Sequence, residues 1–152
     1  MYEAVAATED HVRELVANIR PSDAEEIRAL GEDPLPSMIK SLKVSRDPVA
    51  VLSDGRVISI FGVGVPSLLS DLGVPWMIGA AELPRHKKAL LKASRAWVWQ
   101  ARHEYRYLCN YVDARHHSAI RWLRWMGFAI EAPAPFGPLK MPFHKFDMVG
   151  VY

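Results

Sequence analysis

The residues of this chain whose types could do chemistry are six histidines, one cysteine and a run of bases around Trp99. A metal centre needs ligands spaced to converge on one ion, and neither His-Glu-x-x-His nor a Cys/His pairing occurs. His116 and His117 are adjacent, so on a helix they point about 100° apart and cannot clamp one ion from one face. His11, His86, His103 and His144 complete the set. The reading is satisfied or solvated histidines and no metal. Cys109 alternates with aromatic residues and has no activating neighbour, which fits a buried, inert thiol. No Ser-His-Asp pattern is evident, and Phe61-Gly62-Val63-Gly64 does not continue into a nucleotide-binding fingerprint.

The bases are better organised. From Pro84 to about Tyr105 the chain reads as its longest helix, with Leu90, Ala93, Trp97, Ala101 and Tyr105 as the stripe that faces a sheet. Trp99 falls on the opposite side, among Lys88, Lys92, Arg95, Arg102 and His103, with Arg106 just beyond. Three explanations compete. The ring packs under a loop or the acidic N-terminal helices, anchors a protein contact, or stacks on nucleic acid. A second basic helix, His116–Met126, buries Ala119, Ile120, Leu123 and Met126 with Trp122 at one edge. His117, Arg121 and Arg124 lie outside, and Trp125 is a candidate for partial exposure. The expected interaction surface is therefore Lys92, Arg95, Trp99, Arg102, Arg106, Arg121, Arg124 and Trp125. Its expected partners are proteins or further copies of the chain. A net charge of only +2 argues against a general nucleic-acid binder, whose affinity rests on many phosphate contacts.

These helices need strands to hold them. Tyr2–Ala7 reads as a strand, and Thr8 caps a helix running to about Arg20. Pro21 opens a second helix that stops at Gly31. Leu35–Ser45 suggests a short third. Pro48–Leu52 and Val57–Val63 are β-rich runs joined by Ser53-Asp54-Gly55-Arg56, where Asp-Gly signals a hairpin. Val65–Gly73 reads as a loop with a helical turn, and Trp76–Ala81 as a buried strand. Strands at Tyr107–Asp113, Phe128–Ala132 and Phe143–Val151 follow. The Pro-rich Ala132–Pro142 stretch between the last two reads as a surface loop. The order implies one α/β (α+β) domain over residues 1–152, a central mixed sheet flanked by helices.

With 152 residues, half of them apolar, the chain can bury one core and not two. No apolar run approaches the roughly 18–20 residues that span a bilayer, and the N-terminus lacks a basic-then-apolar leader. One cysteine suits a reducing compartment. The expectation is a soluble protein made in the cytoplasm. Charge is unevenly distributed. Residues 1–36 hold nine acids and three arginines, a net of −6, against 16 bases and 8 acids in the rest, a net of +8. Such a dipolar molecule can attract anions on one side or pack head-to-tail with its own copies.

The stretch Tyr107–Glu131, with Ala119 on its helix and Gly127-Phe128 closing it, resembles the C-terminal half of the GNAT acyltransferase fold. The element order resembles that fold over most of the chain. Within it the chain looks most like small GNAT-like proteins of tailed bacteriophages, related to an internal virion protein of podophages. The shared features are the Trp76 strand, the basic helix Arg85–Arg106, Asn110-Tyr111-Val112 and Ile120-Arg121-Trp122-Leu123. The resemblance implies acetyl-CoA as cofactor, with Met77, Ile78, Gly79, Ala80 and Ala81 offering backbone groups and Arg85, Lys87 and Lys88 attracting phosphates.

Two positions depart from that pattern. With Arg85 opening the family's pyrophosphate loop, Lys88 and Leu90 fill its glycine positions, so their Cβ atoms crowd the ligand, and Pro84 removes a donor. Leu123 stands where the family's proton-donating tyrosine would be, and His116 where its asparagine would be; leucine donates no proton. Glu82 is the acidic candidate for a base. The leading expectation is a non-catalytic virion or assembly component without cofactor. The alternative is an acetyl-CoA-dependent N-acetyltransferase, and a weaker one is a DNA-contacting packaging or ejection accessory.

Overall fold

A computed structural model describes residues 1–67 and 69–151. It contains β1 (Tyr2–Ala6), α1 (Glu9–Ala17), α2 (Pro21–Ala29), α3 (Pro34–Val44), β2 (Ser45–Ser53), β3 (Arg56–Gly64) and β4 (Leu72–Gly79). After a 3-10 turn at Leu83–His86 come α4 (Lys87–Glu104), β5 (Tyr107–Asp113), α5 (His117–Met126), β6 (Ala129–Ile130), β7 (Ala134–Phe136) and β8 (Met141–Val149). The strands form one mixed sheet in the order β1-β2-β3-β4-β5-β8-β6, with β7 also pairing β8. Among the described residues only β4 and β5 run parallel. The expected α/β architecture, a mixed sheet flanked by helices, is the one observed.

Local chemistry explains most boundaries. Thr8 accepts the His11 amide while the His11 ring accepts the Thr8 amide, a capping box that starts α1. Pro21 and Pro34 open α2 and α3, where a missing N–H is harmless. Asp54 and Gly55 both take positive φ, 49° and 81°, which matches the twist of the β2–β3 hairpin. Gly127, at φ 100°, ends α5 in the left-handed conformation.

The helices divide between the two faces of the sheet. Val12, Leu15, Ile27 and Met38 from α1–α3 pack on Ala50, Ile60 and Ile78 on one side. Val98 and Ala101 of α4 with Ile120 and Leu123 of α5 pack on Val63, Leu108 and Val112 on the other. No helix among the described residues is long and apolar enough to cross a membrane.

Several expectations need correction. The Pro-rich Ala132–Pro142 stretch is no simple loop: Ala134–Phe136 pairs with Met141–Phe143, and prolines are tolerated there because β7 is an edge strand. The α1 helix ends at Ala17, since Ile19 bridges to Ala80. Leu72 and Gly73 already belong to β4, where they pair with Tyr107 and Leu108. The helical turn expected within Val65–Gly73 includes Leu68, which lies outside the described residues. The segment from Pro84 is a 3-10 turn before α4 proper. The buried stripe of α4 is rotated by one residue: Ser94 and Val98 are buried, while Ala93 and Trp97 are half-buried.

Candidate active site

The parallel pairing of β4 and β5 lasts for only two residues, Leu72↔Tyr107 and Gly73↔Leu108. Pro75 has no N–H to continue the ladder, and its carbonyl instead accepts the Asn110 Nδ2 donor at 2.7 Å. Beyond that clasp the strands part and leave a cavity of about 210 Å³, walled by Trp76, Met77 and Ile78 on one side and Tyr111 and Val112 on the other. The antiparallel register with β3 turns Trp76 and Ile78 toward that strand, with Ala80 N–H donating to Ile58. Pro75, Met77 and Gly79 therefore aim their peptide groups away from β3. Pro75 meets Asn110, and Gly79 meets Asp23 and Arg20. The Met77 peptide group, between them, faces the cavity.

Asp23 of α2 organises one end of this cavity. Its Oδ2 accepts the Gly79 amide at 2.8 Å and Arg20 Nε at 3.1 Å. Its Oδ1 accepts Arg20 Nη2 at 3.1 Å and His116 Nε2 at 2.8 Å. Burial pushes this carboxyl upward, but the His116 hydrogen bond and the Arg20 guanidinium outweigh it and hold the group below its ordinary value. With four donors on two oxygens, Asp23 is saturated. It joins α2, the end of β4 and the cap of α5.

Glu26, one turn further along α2, is different. It lines the same cavity and receives a single 3.3 Å hydrogen bond, from the Asp113 amide. Burial dominates, the neighbouring carboxyls of Asp23 and Asp113 add to it, and the pKa is pushed up to about 7 despite the nearby His116. A carboxyl poised near neutrality in a cavity is equipped to take and return a proton. Asp113 cannot do this, because Arg115 holds it low through three hydrogen bonds.

The expected site residues scatter around this centre. Met77 and Ile78 line the cavity. Gly79, Ala80 and Ala81 are instead sutured to other segments, their amides going to Asp23, Ile58 and Asn18. Leu83 and Arg85 donate backward to Ala80 and Glu82, and Pro84 has no N–H, so the loop offers few free amides. Arg85, Lys87 and Lys88 are exposed and have no acidic partner among the described residues. Glu82 is corrected as a base: it is absent from the cavity wall, and Arg56 at 2.9 Å holds its carboxyl below the ordinary range.

Lys88 and Leu90 do not plug the cavity. Lys88 is exposed and Leu90 is buried in α4, and neither lines the wall. The tie across the gap between α4 and α5 is Trp122, whose Nε1 donates to Ser94 Oγ at 3.0 Å, beside the half-buried Trp97. Trp99 is not covered by a loop or by the N-terminal helices. It is 64% exposed, against the His103 ring, and α1–α3 lie on the other face of the sheet. Cys109 is half-buried rather than buried, with its thiol pushed up by desolvation. Arg102 is half-buried and Arg106 is paired with Asp71, so the expected surface narrows to Lys92, Arg95, Trp99, Arg121, Arg124 and Trp125. No cluster of three side chains able to hold a metal ion occurs among the described residues.

Asp23, Glu26 and Arg20 were missed from sequence. The signal available was weak: the Arg20-x-x-Asp23-x-x-Glu26 spacing puts all three on one helical side, among acids that read as surface charge.

No family profile and no curated protein matches the chain. Solved structures do. A GNAT-family acetyltransferase from Streptococcus pneumoniae superposes with a TM-score of 0.67 at 14% identity, covering 99% of this chain and 100% of that one. A phosphinothricin acetyltransferase from Sinorhizobium meliloti, in complex with acetyl-CoA, gives 0.71 at 16% identity over 98% and 88%. The ribosomal-protein-S18-alanine N-acetyltransferase of Escherichia coli gives 0.68 at 11% identity over 100% and 96%. The chain therefore has the GNAT acetyltransferase fold.

Proposed function

We propose that this protein is an acyltransferase that moves an acyl group from a coenzyme A thioester to an amine. The observation that carries the reading is Glu26, a half-buried carboxyl that lines the cavity where β4 and β5 part and accepts a single hydrogen bond there, desolvation pushing its pKa up to about 7. The fold shared with acetyl-CoA-dependent enzymes supports it as well. The donor set fits such a cofactor in two places: the Met77 peptide group faces the cavity, and three cations without an acidic partner among the described residues, Arg85, Lys87 and Lys88, stand at the start of α4. Bound acetyl-CoA would supply the activated acyl carbon.

The protein's own part is proton handling and positioning. Glu26 takes the proton that an attacking amine must shed, and then holds it for the departing sulfur in place of the tyrosine missing at Leu123. The Met77 N–H is oriented for an acyl oxygen. Asp23 and His116 fix α2 against β4 so that Glu26 keeps its place.

A second reading is favoured by the Trp122–Ser94 tie and the occupied loop amides. Both oppose entry of a long cofactor arm, and a non-catalytic protein acting through contacts, as in a phage virion, would retain them. Calorimetry with acetyl-CoA separates the two. The first expects micromolar heat that weakens with salt, because side-chain cations hold the phosphates, together with thiol release that Glu26→Gln abolishes. Silence to millimolar concentration retires the enzyme and leaves the second reading.

A further inference from the structure

Between α4 and α5 runs a surface groove lined by Leu91, Lys92, Arg95, Ala96, Trp99 and Trp125. Trp99 and Trp125 are 64% and 43% exposed, and the Arg95 guanidinium lies 4.5 Å over the Trp125 ring. An apolar floor with rigid aromatic walls and a basic rim is the composition of a contact centre rather than of ordinary solvated surface.

The charges around it are uncompensated. Lys92, Arg95, Arg121 and Arg124 are exposed and have no acidic partner among the described residues. On the opposite face of the sheet Asp10 of α1, Glu25 of α2 and Asp33 are exposed and equally unpaired. Within one molecule the sheet separates the two sets, so they cannot neutralise each other. Like-charged faces repel, which disfavours a contact between two α4–α5 surfaces or between two α1–α2 surfaces.

We infer that the α4–α5 groove binds the acidic α1–α2 surface of a second copy of this chain, in a head-to-tail contact. Such an interface is heterologous: each molecule offers one donor face and one acceptor face, so the contact propagates into a chain or closes into a ring. Trp99 and Trp125 supply the apolar centre, and Lys92 and Arg95 meet the partner's carboxylates at the rim. The inference does not depend on acyl transfer, because none of its residues lies in the cavity.

Sedimentation of the full chain tests it. Association that grows with protein concentration is expected at about 0.01 M salt and is lost at about 1 M, where the screening length falls from about 30 Å to about 3 Å. Arg95→Glu with Arg124→Glu should give a monomer, and so should Asp10→Lys with Glu25→Lys, each with an unchanged circular dichroism spectrum. Mixing these two variants should restore association, because each then offers the other a face of opposite charge while neither can pair with its own copies. Trp99→Ala alone should weaken assembly at least tenfold. A wild-type chain that stays monomeric at low salt overturns the inference. So does either double variant assembling like the wild type, or a monomer whose groove binds single-stranded DNA instead.

Discussion

His116 Nε2 donates a 2.8 Å hydrogen bond to Asp23 Oδ1 across 93 residues of sequence, with both side chains buried. This bond connects α2 to the N-terminal cap of α5. The same aspartate also holds the end of β4 through the Gly79 amide. One side chain therefore sets the spacing of three walls of the cavity.

Removing either partner leaves a buried polar group stranded. His116→Ala or Asp23→Asn should lower unfolding stability by about 3–5 kcal/mol, read from the denaturant midpoint. The pH dependence follows from Asp23 being held below its ordinary value. A depressed carboxyl contributes stability that is present above its unfolded pKa and lost as pH falls through the folded one. Wild type should therefore lose this contribution in acid below about pH 4, and Asp23→Asn should lack that loss.

Glu26 works in the opposite direction. Burial, its main cause, raises the carboxyl to about 7, so the folded state resists ionisation. Stability attributable to this group is complete below its unfolded pKa of about 4.3, falls as pH rises toward 7, and levels off above. Glu26→Gln should match wild type near pH 4 and exceed it at pH 8 by up to about 3 kcal/mol. Equal stability at pH 8 would mean that the carboxyl titrates normally and is no poised base.

Trp122 and Ser94 test how the α4–α5 gap is closed. Ser94→Ala removes one hydrogen bond and should cost about 1 kcal/mol, whereas Trp122→Ala also empties volume and should cost about 3 kcal/mol. If the tie obstructs a cofactor arm, Trp122→Ala should bind acetyl-CoA more tightly than wild type despite its lower stability. An unchanged or weaker affinity, measured by calorimetry, would show that the ring is not the obstacle.

Gly79 lies where three segments converge. A Cβ there would sit 2.5 Å from Leu83 Cδ2 and 3.4 Å from Asp23 Oδ2. Gly79→Ala should therefore destabilise by about 1–3 kcal/mol. Because the leucine can swing but the carboxylate is pinned, the pH profile of Glu26 should shift too. A substitution without thermodynamic effect would mean that the Asp23 anchor is looser than its hydrogen bonds imply.

Much of the fold was legible along the chain because its signals are local. Thr8 caps, Pro21 starts, Asp54-Gly55 turns and Gly127 stops, each through a backbone preference that acts within a few residues. Apolar periodicity placed β5 without error and located α5 to one residue. The Pro-rich hairpin escaped because pairing with β8, a tertiary partner, overrode composition.

The chemistry of the cavity was not local. Glu26 and Asp23 carry the same functional group three residues apart on one helix, and nothing in their sequence separates a saturated anchor from a carboxyl near neutrality. That difference comes from the four donors aimed at one and the desolvation imposed on the other, both supplied by β4, β5 and α5. Sequence alone determined that an acid-rich stretch, residues 1–36, precedes a base-rich remainder. Only the tertiary structure decided that a sheet divides them, since the side on which a helix packs is set by which strand faces its apolar stripe covers.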